Sequence, residues 1–221
     1  MDDQRNGPFR AVILDYGAVL CHPPFPHEIA RMAQAFNLTP EEFSRFWGRS
    51  RDDYDRGDLT TQQYWASVAR AAETELSPDT IEELARWDME MWSRPNEEMT
   101  SWLASLRPAG YKTALLSNMQ HDMIGHIRAK FPWLNDFDHQ IFSSEVRMVK
   151  PDPVLYRTCL AKLGADPRET IFIDDREENV ATARALGITA FRFRSVPELR
   201  RDLASAAFRH PPKDNNDQPA I

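Results

Sequence analysis

The stretch FRAVILDYG, at residues 9–17, decides the fold of this chain. Its apolar run is rich in β-branched side chains and stops at Asp15 and Gly17, a pattern typical of a buried parallel strand that leads into a loop. Two further runs of this kind, YKTALLSN at 111–118 and TIFIDD at 170–175, also end in polar residues. The shorter runs HQIFSS at 139–144 and TAFRF at 189–193 predict two more strands.

Helical patterns separate these strands from residue 96 onward. The segments 96–107, 154–164 and 180–187 have helical spacing, and the last two end in Gly164 and Gly187, which are typical helix ends. An alternation of strands and helices predicts right-handed βαβ units. We therefore expect an α/β fold with a Rossmann-like parallel sheet.

Residues 22–95 instead predict an all-helical insertion directly after the first strand. Three prolines in HPPFP, at 22–26, break regular structure, and helix starts follow at Thr39, Thr60 and Ser77. We therefore expect a core domain formed by residues 9–21 and 96–205 and a helical cap domain at 22–95. The ends, at 1–8 and 209–221, are expected to be flexible.

One charged stretch of the expected cap has two interpretations. Residues 52–56, with the sequence DDYDR, predict a solvated acidic turn. Alternatively, an arginine near this turn contacts the far end of a substrate, and the candidates are Arg49, Arg51 and Arg56. The aromatic residues around them are expected to form mostly the core of the cap.

The composition is that of a soluble globular protein of 221 residues, of which 42% are hydrophobic and 28% charged. A net charge of −7 argues against a nucleic-acid partner. No apolar run approaches the roughly 20 residues that cross a bilayer, and the N-terminus lacks an apolar signal core. Cys21 and Cys159 give no disulfide framework. We expect a cytoplasmic protein without a membrane partner, and the oligomeric state stays open.

The polar residues at the strand ends should converge, because ligands of open α/β sheets bind outside the carboxyl ends of the strands. Asp15, Asp174 and Asp175 would then lie near the Ser117 hydroxyl and the Lys150 ammonium. Clustered carboxylates repel one another without a cation, and oxygen ligands suit Mg²⁺. Asp15 is then a candidate nucleophile for phosphoryl transfer, while Lys150 and Ser117 hold the phosphate oxygens.

Four segments, VILDYGAVL, ALLSN, VKPDP and IFIDDREEN, resemble in order the four motifs of the haloacid dehalogenase (HAD) superfamily. The resemblance extends over residues 9–193, with the helical insertion in the place of that family's cap. It implies a Mg²⁺-dependent phosphatase that hydrolyses a small phosphorylated metabolite through an aspartyl-phosphate on Asp15. The implied residues are Asp15, Lys150 and Ser117 in catalysis, Ser117, Asn118 and Lys150 in substrate binding, and Asp15, the Gly17 carbonyl, Asp174 and Asp175 in metal binding.

Gly17 departs from the pattern that the resemblance implies. HAD phosphatases usually carry a second aspartate two residues after the nucleophile, where it acts as a general acid/base. General acid–base catalysis contributes about 10²–10⁴-fold, so the proton comes from another group such as His22, or the leaving group is good, or the activity is weak. The D-x-G-x-V form resembles a branch of small phosphatases that includes sugar-1-phosphate phosphatases, so the glycine does not exclude this activity.

Two alternatives remain. A metal-independent 2-haloacid dehalogenase would share the nucleophile and the lysine, but Asp174 and Asp175 would repel a carboxylate substrate when no cation is present. Tyr16 also lies one position earlier than the tyrosine of the D-x-Y-G-T form of those dehalogenases. The other alternative is a degenerate, non-catalytic binding protein, which only Gly17 supports.

Overall fold

The structure, a computed structural model, describes residues 7–213, and the remainder of the two expected flexible ends lies outside the described residues. Its strands are β1 (Ala11–Leu14), β2 (Lys112–Ser117), β3 (His139–Phe142), β4 (Thr170–Asp174) and β5 (Thr189–Arg192). They form one parallel sheet in the order β3-β2-β1-β4-β5. The predicted α/β fold with a parallel sheet is therefore confirmed.

The register of the central strand sets the level of the polar strand ends. Leu14 of β1 pairs with Leu115 of β2 on one side and with Ile173 of β4 on the other. Asp15, the next residue, donates its N–H to the Ile173 carbonyl at 3.0 Å. Asp15 therefore lies at the carboxyl edge of the sheet, next to the ends of β2 and β4.

The segment between β1 and the rest of the sheet is helical. It contains α1 (Pro26–Gln34), α2 (Pro40–Trp47), α3 (Arg51–Asp55), α4 (Thr61–Ala71) and α5 (Pro78–Met91). The Thr39 and Thr60 side chains accept N–H groups of the first turns of α2 and α4, as their capping boxes predict. These helices enclose a hydrophobic cluster of their own, which includes Phe36, Phe43 and Trp65.

Helix α3 corrects the interpretation of residues 52–56 as a solvated turn. Tyr54 and Asp55 are only 3% and 6% exposed. The Tyr54 ring stacks on Tyr64 with 4.2 Å between ring centroids, and Asp55 pairs with Arg51 one helical turn earlier. This charged stretch is therefore a short helix with one buried side, which contains Tyr54 and Asp55.

The remaining helices cover the two faces of the sheet. They are α6 (Glu97–Leu106), α7 (His121–Lys130), α8 (Ser143–Val146), α9 (Pro153–Leu163), α10 (Glu177–Ala185) and α11 (Val196–Ser205). One hydrophobic cluster contains Val12 and Leu14, and the other contains Ala11 and Ile13. Because alternate residues of β1 enter opposite clusters, the whole strand is buried.

The two connections between the helical segment and the sheet run side by side. His22 N donates to the Arg94 carbonyl at 2.8 Å, and Asn96 N donates to the Leu20 carbonyl at 2.9 Å. Near the end of the described residues, the His210 carbonyl accepts the Trp102 indole N–H at 2.7 Å, so this part of the expected flexible end contacts α6. Among residues 7–213, no helix is both long and apolar enough to cross a membrane.

Candidate active site

A buried lysine lies between two aspartates at the carboxyl edge of the sheet. Lys150 Nζ is 2.8 Å from Asp15 Oδ1 and donates to Asp174 Oδ2 at 2.6 Å. The three side chains are 1%, 9% and 0% exposed, respectively. Buried charges of this kind are stable only when they are paired. The ion pairs therefore fix three of the predicted site residues relative to one another.

Asp174 is held from its other side as well. Arg176 N and Asn179 Nδ2 both donate to Asp174 Oδ1 at 2.9 Å. Both oxygens of Asp174 thus have protein partners. Asn179, five positions after Asp174, therefore helps to orient this carboxylate.

Asp175 adds a third carboxylate beside these two. One oxygen from each of Asp15, Asp174 and Asp175 lies within 4.8 Å of the others. With Lys150, the cluster has an excess of two negative charges when all its groups are ionised. Nearby, the side-chain oxygen of Asn179 is buried and has no partner among the described residues. A set of clustered oxygen donors with excess negative charge fits a hard divalent cation such as Mg²⁺.

The crowding of charges changes the proton affinity of the cluster. Burial raises the pKa of Asp15 to about 7, Lys150 opposes this change, and the neighbouring aspartates add to it. Burial and Asp174 also raise the pKa of Asp175. Burial by itself would lower the pKa of Lys150, but Asp15 and Asp174 outweigh it and raise that pKa. Protons and a cation should therefore compete for the aspartates.

Residues at the end of β2 position the loop that carries the lysine. The Asn118 side chain donates to the Lys150 carbonyl at 3.0 Å and accepts the Lys150 N–H at 2.8 Å. Ser117 is buried beside it. Neither residue caps the next helix, because the N-cap position of α7 is Gln120. The two residues instead line the same space as Asp15 and Lys150.

A cavity of about 240 Å³ lies above the acidic cluster. The predicted site residues that line it are Asp15, Gly17, Ser117, Asn118, Lys150 and Asp175. From the helical segment, Trp47, Gly48, Arg51 and Asp55 also line it. The cavity therefore lies between the sheet edge and the inserted helices.

Of the three arginines considered for substrate contact, Arg51 lines the cavity. Arg56 pairs with Asp53 and Asp58, and Arg49 is exposed. His22, the candidate proton donor, is exposed and is not one of the cavity-lining residues. The structure therefore does not support His22 in that role.

Sequence reasoning missed several residues that line the cavity. They are Tyr16, Asp55, Trp92, Met119, Met123 and Arg176. Trp47 is one of the cap aromatics, most of which were expected in the core of the cap. Three of the missed residues directly follow a predicted site residue, namely Tyr16, Met119 and Arg176. Adjacency to a predicted site residue was the one signal in the sequence that could have identified these three. The remaining residues reach the cavity through the packing of segments that are distant in sequence.

Curated relatives include both types of activity that the sequence suggested. (S)-2-haloacid dehalogenase 1 of Pseudomonas sp. (strain CBS-3) is 26% identical over 203 residues, which cover 86% of each chain. Sesquiterpene phosphatase astK of Aspergillus oryzae is 34% identical over 97 residues, which cover 43% of this chain and 48% of that protein. Three other relatives are much longer, and the chain spans 17%, 20% and 36% of their lengths.

A solved structure and a family model agree on the fold. HAD family enzyme BT-2542 of Bacteroides thetaiotaomicron, solved in complex with magnesium and inorganic phosphate, has a TM-score of 0.66 and 24% identity over 84% of this chain and 94% of that chain. The family model, described as haloacid dehalogenase-like hydrolase, matches residues 9–187. These residues include all four predicted motifs. The chain therefore belongs to the haloacid dehalogenase-like hydrolases.

Proposed function

We propose that this hydrolase is a Mg²⁺-dependent phosphatase that cleaves a small phosphorylated metabolite through an aspartyl-phosphate on Asp15. The observation that carries this proposal is the cluster of Asp15, Asp174 and Asp175, whose carboxylate oxygens lie within 4.8 Å of one another. Without a divalent cation, such a cluster repels any anionic substrate. Bound Mg²⁺ would neutralise that repulsion and stabilise the charge of the transferring phosphoryl group.

The contacts of Asp15 suggest which of its oxygens attacks. Asp15 Oδ1 accepts the Tyr16 N–H at 2.7 Å and pairs with Lys150 at 2.8 Å. We therefore assign Asp15 Oδ2 as the nucleophile. It forms a bond to phosphorus while the ester oxygen leaves with its electron pair and takes a proton. Water then attacks the phosphorus, releases phosphate and restores the Asp15 carboxylate.

The other residues hold the phosphate in place for this attack. Lys150 lies between Asp15 and Asp174, so its ammonium can contact a phosphate oxygen next to the nucleophile. The Ser117 hydroxyl and the Asn118 amide line the same cavity and are assigned to the remaining oxygens. Asp175 and Asp174 are assigned to the metal together with Asp15 and the Gly17 carbonyl.

The second candidate function is that of a 2-haloacid dehalogenase, because a dehalogenase relative covers 86% of this chain. Such an enzyme has to bind a substrate carboxylate without a metal. Lys150 is already paired with two carboxylates here, and Asp175 adds further negative charge. The phosphatase is therefore favoured over the dehalogenase. We also propose a cytoplasmic location for the protein.

Phosphate release from a panel of phosphomonoesters, measured with Mg²⁺ and with a chelator, tests the proposal. We expect turnover that requires Mg²⁺ and that Asp15→Asn reduces to background, because an amide is a poor nucleophile. Asp79→Asn, an exposed aspartate of α5, serves as the control and should keep full activity. Halide release from a 2-haloacid in the presence of chelator would favour the dehalogenase. Absence of both reactions would favour the non-catalytic alternative.

A further inference from the structure

Arg51 reaches the cavity from α3 already paired with two buried carboxylates. Its Nε donates to both carboxylate oxygens of Asp55, at 3.0 Å to Oδ1 and 3.1 Å to Oδ2. Its Nη1 donates to Asp88 Oδ2 at 3.1 Å. The side chains of the two aspartates are 8% and 2% exposed. When both carboxylates are ionised, they leave an excess of one negative charge around the one guanidinium. This group, which we call the Arg51 triad, therefore has no net positive charge with which to attract an anion.

Aromatic rings fix the guanidinium in this arrangement. Its carbon lies 5.7 Å from the Trp47 ring centroid, 5.6 Å from that of Tyr54 and 5.9 Å from that of Tyr64. Cation–π contacts of this length favour the present position of the charge. Turning Arg51 toward a substrate anion would break these contacts and would leave Asp55 and Asp88 as buried, unpaired charges, which is strongly unfavourable.

The other cations that line the cavity are paired as well. Lys150 contacts Asp15 and Asp174, and it belongs to the phosphate end of the site. Arg176 lies beside the acidic cluster and bonds to Glu178 at 2.7 Å through Nε. Among the described residues, the cavity therefore presents no unpaired cation to a second anionic group of a substrate.

The rest of the wall is largely apolar. Tyr16, Trp47, Trp92, Met119 and Met123 line the cavity. The Tyr16 hydroxyl donates to the Trp92 carbonyl at 2.8 Å, so the polar end of this side chain is already satisfied. Flat indole rings and polarizable thioethers pack well against a planar apolar group. A cavity of about 240 Å³ is smaller than the about 300–1,000 Å³ of drug-sized sites, so it suits a phosphate with one ring-sized group.

From this distribution of charge and apolar surface we infer that the substrate is a phosphomonoester whose other part is uncharged, apolar and about the size of one ring. The Arg51 triad repels substrates that carry a second negative charge on the part of the molecule that faces Arg51. The inference rests on the proposed phosphatase function and specifies its substrate class. Arg51 thus acts as part of a wall that selects against anions, and not as an anchor for them.

Two esters of nearly equal shape test this inference, 4-carbamoylphenyl phosphate and 4-carboxyphenyl phosphate, assayed with Mg²⁺. We expect kcat/KM to be about tenfold or more higher for the neutral amide, because the excess negative charge of the Arg51 triad repels the second negative charge of the carboxylate ester. Asp88→Asn removes one carboxylate of the triad and should reduce this ratio severalfold. Asp79→Asn removes an exposed charge from the same helix and should leave the ratio unchanged.

Each outcome separates the inference from the function on which it rests. Equal or faster turnover of the carboxylate ester by the unmodified enzyme would overturn the inference and leave the phosphatase function intact. An unchanged ratio in a folded Asp88→Asn variant would overturn the role of the Arg51 triad. Absence of Mg²⁺-dependent turnover on both esters and on other phosphomonoesters would overturn the function, and the substrate class with it.

Discussion

Gly17 takes the position of a second carboxylate, yet nothing in the local backbone demands glycine. Its φ is not among the positive values that distinguish glycines such as Gly57 and Gly187. A Cβ atom built at this position would meet Trp92 Cζ3 at 3.7 Å, an ordinary contact distance. The backbone and the space around Gly17 therefore do not require glycine, and the position can accept an aspartate side chain.

Gly17→Asp should make the enzyme less dependent on its leaving group. In the parent, log(kcat/KM) should fall steeply with leaving-group pKa, because no carboxylate at this position protonates the departing oxygen. The aspartate should flatten that plot, with the largest gains on alkyl phosphates. Gly17→Asn, similar in size but unable to donate a carboxyl proton, is the control. A flat plot for the parent would mean that another group already supplies the proton.

Asp174 and Asp175 should differ in what their substitution changes. Asp174 bonds to Lys150, Arg176 N and Asn179, and Asp174→Asn should lower the unfolding midpoint because the buried Lys150 ammonium loses one of its two carboxylate partners. Asp175 is only half-buried, so Asp175→Asn should weaken Mg²⁺ binding and leave the unfolding midpoint of the metal-free protein nearly unchanged. Mg²⁺ titration and thermal unfolding of both variants measure this. Equal effects on both quantities would contradict the division of roles.

At the level of secondary structure, Ser143 links the inserted helices to the sheet. Its hydroxyl accepts the Met119 N–H at 2.8 Å and donates to the Asp55 carbonyl, and the residue is fully buried. Met119 directly follows the Ser117-Asn118 pair, and Asp55 ends α3. One hydroxyl at the start of α8 therefore joins the segment that follows β2 to the Arg51 triad.

Ser143→Ala should loosen this junction. The buried Met119 N–H would lose its acceptor, which costs about 1–3 kcal/mol. We expect faster amide hydrogen exchange in α3 and a lower kcat/KM, while exchange in the central strand β1 stays slow. Ser67→Ala is the matched control, because that hydroxyl bonds to the Tyr64 carbonyl within its own helix. Unchanged exchange in α3 would show that this contact does not hold the helix.

The sequence predicted the strands and the sheet-edge residues because each signal is local. Fewer than ten consecutive residues that end in Asp15 or Asp174 contain both the apolar pattern of the strand and the candidate site residue at its end. The walls of the cavity were not predictable in this way. Arg51 meets Asp88 across 37 positions, and Asp55 meets Ser143 across 88. Such contacts arise from the packing of amphipathic helices, whose rotation and approach a single sequence does not specify.

At the scale of the whole molecule, the sheet with its covering helices and the inserted helical segment have separate hydrophobic clusters, and the candidate site lies between them. The sheet contributes the acidic cluster, and the helical segment, with its own hydrophobic cluster, contributes Arg51 and Trp47. The division into a core domain and a cap domain stays a proposal.

Burial raises the pKa of Asp15 and that of Asp175 in the folded protein above their ordinary values. The unfolded chain then releases these protons at lower pH than the folded protein does, so these two groups reduce the free energy of unfolding as the pH rises from about 4 toward 7. Mg²⁺ requires the ionised carboxylates, and it therefore competes with protons at low pH and binds without that competition at high pH.

Mg²⁺ should consequently stabilise the folded protein more at pH 8 than at pH 5. A ligand at about one hundred times its Kd adds about 2.7 kcal/mol to the free energy of unfolding, and each kcal/mol corresponds to about 2–4 °C in Tm for a chain of this size. We therefore expect a rise in Tm of about 5–10 °C on adding saturating Mg²⁺ at pH 8 and a much smaller rise at pH 5. Thermal unfolding at both pH values measures the difference, and Asp175→Asn should lose most of the rise at pH 8. An equal rise at the two pH values would mean that the cation binds away from Asp15 and Asp175, since binding to carboxylates that hold protons in this range would be weaker at pH 5 than at pH 8.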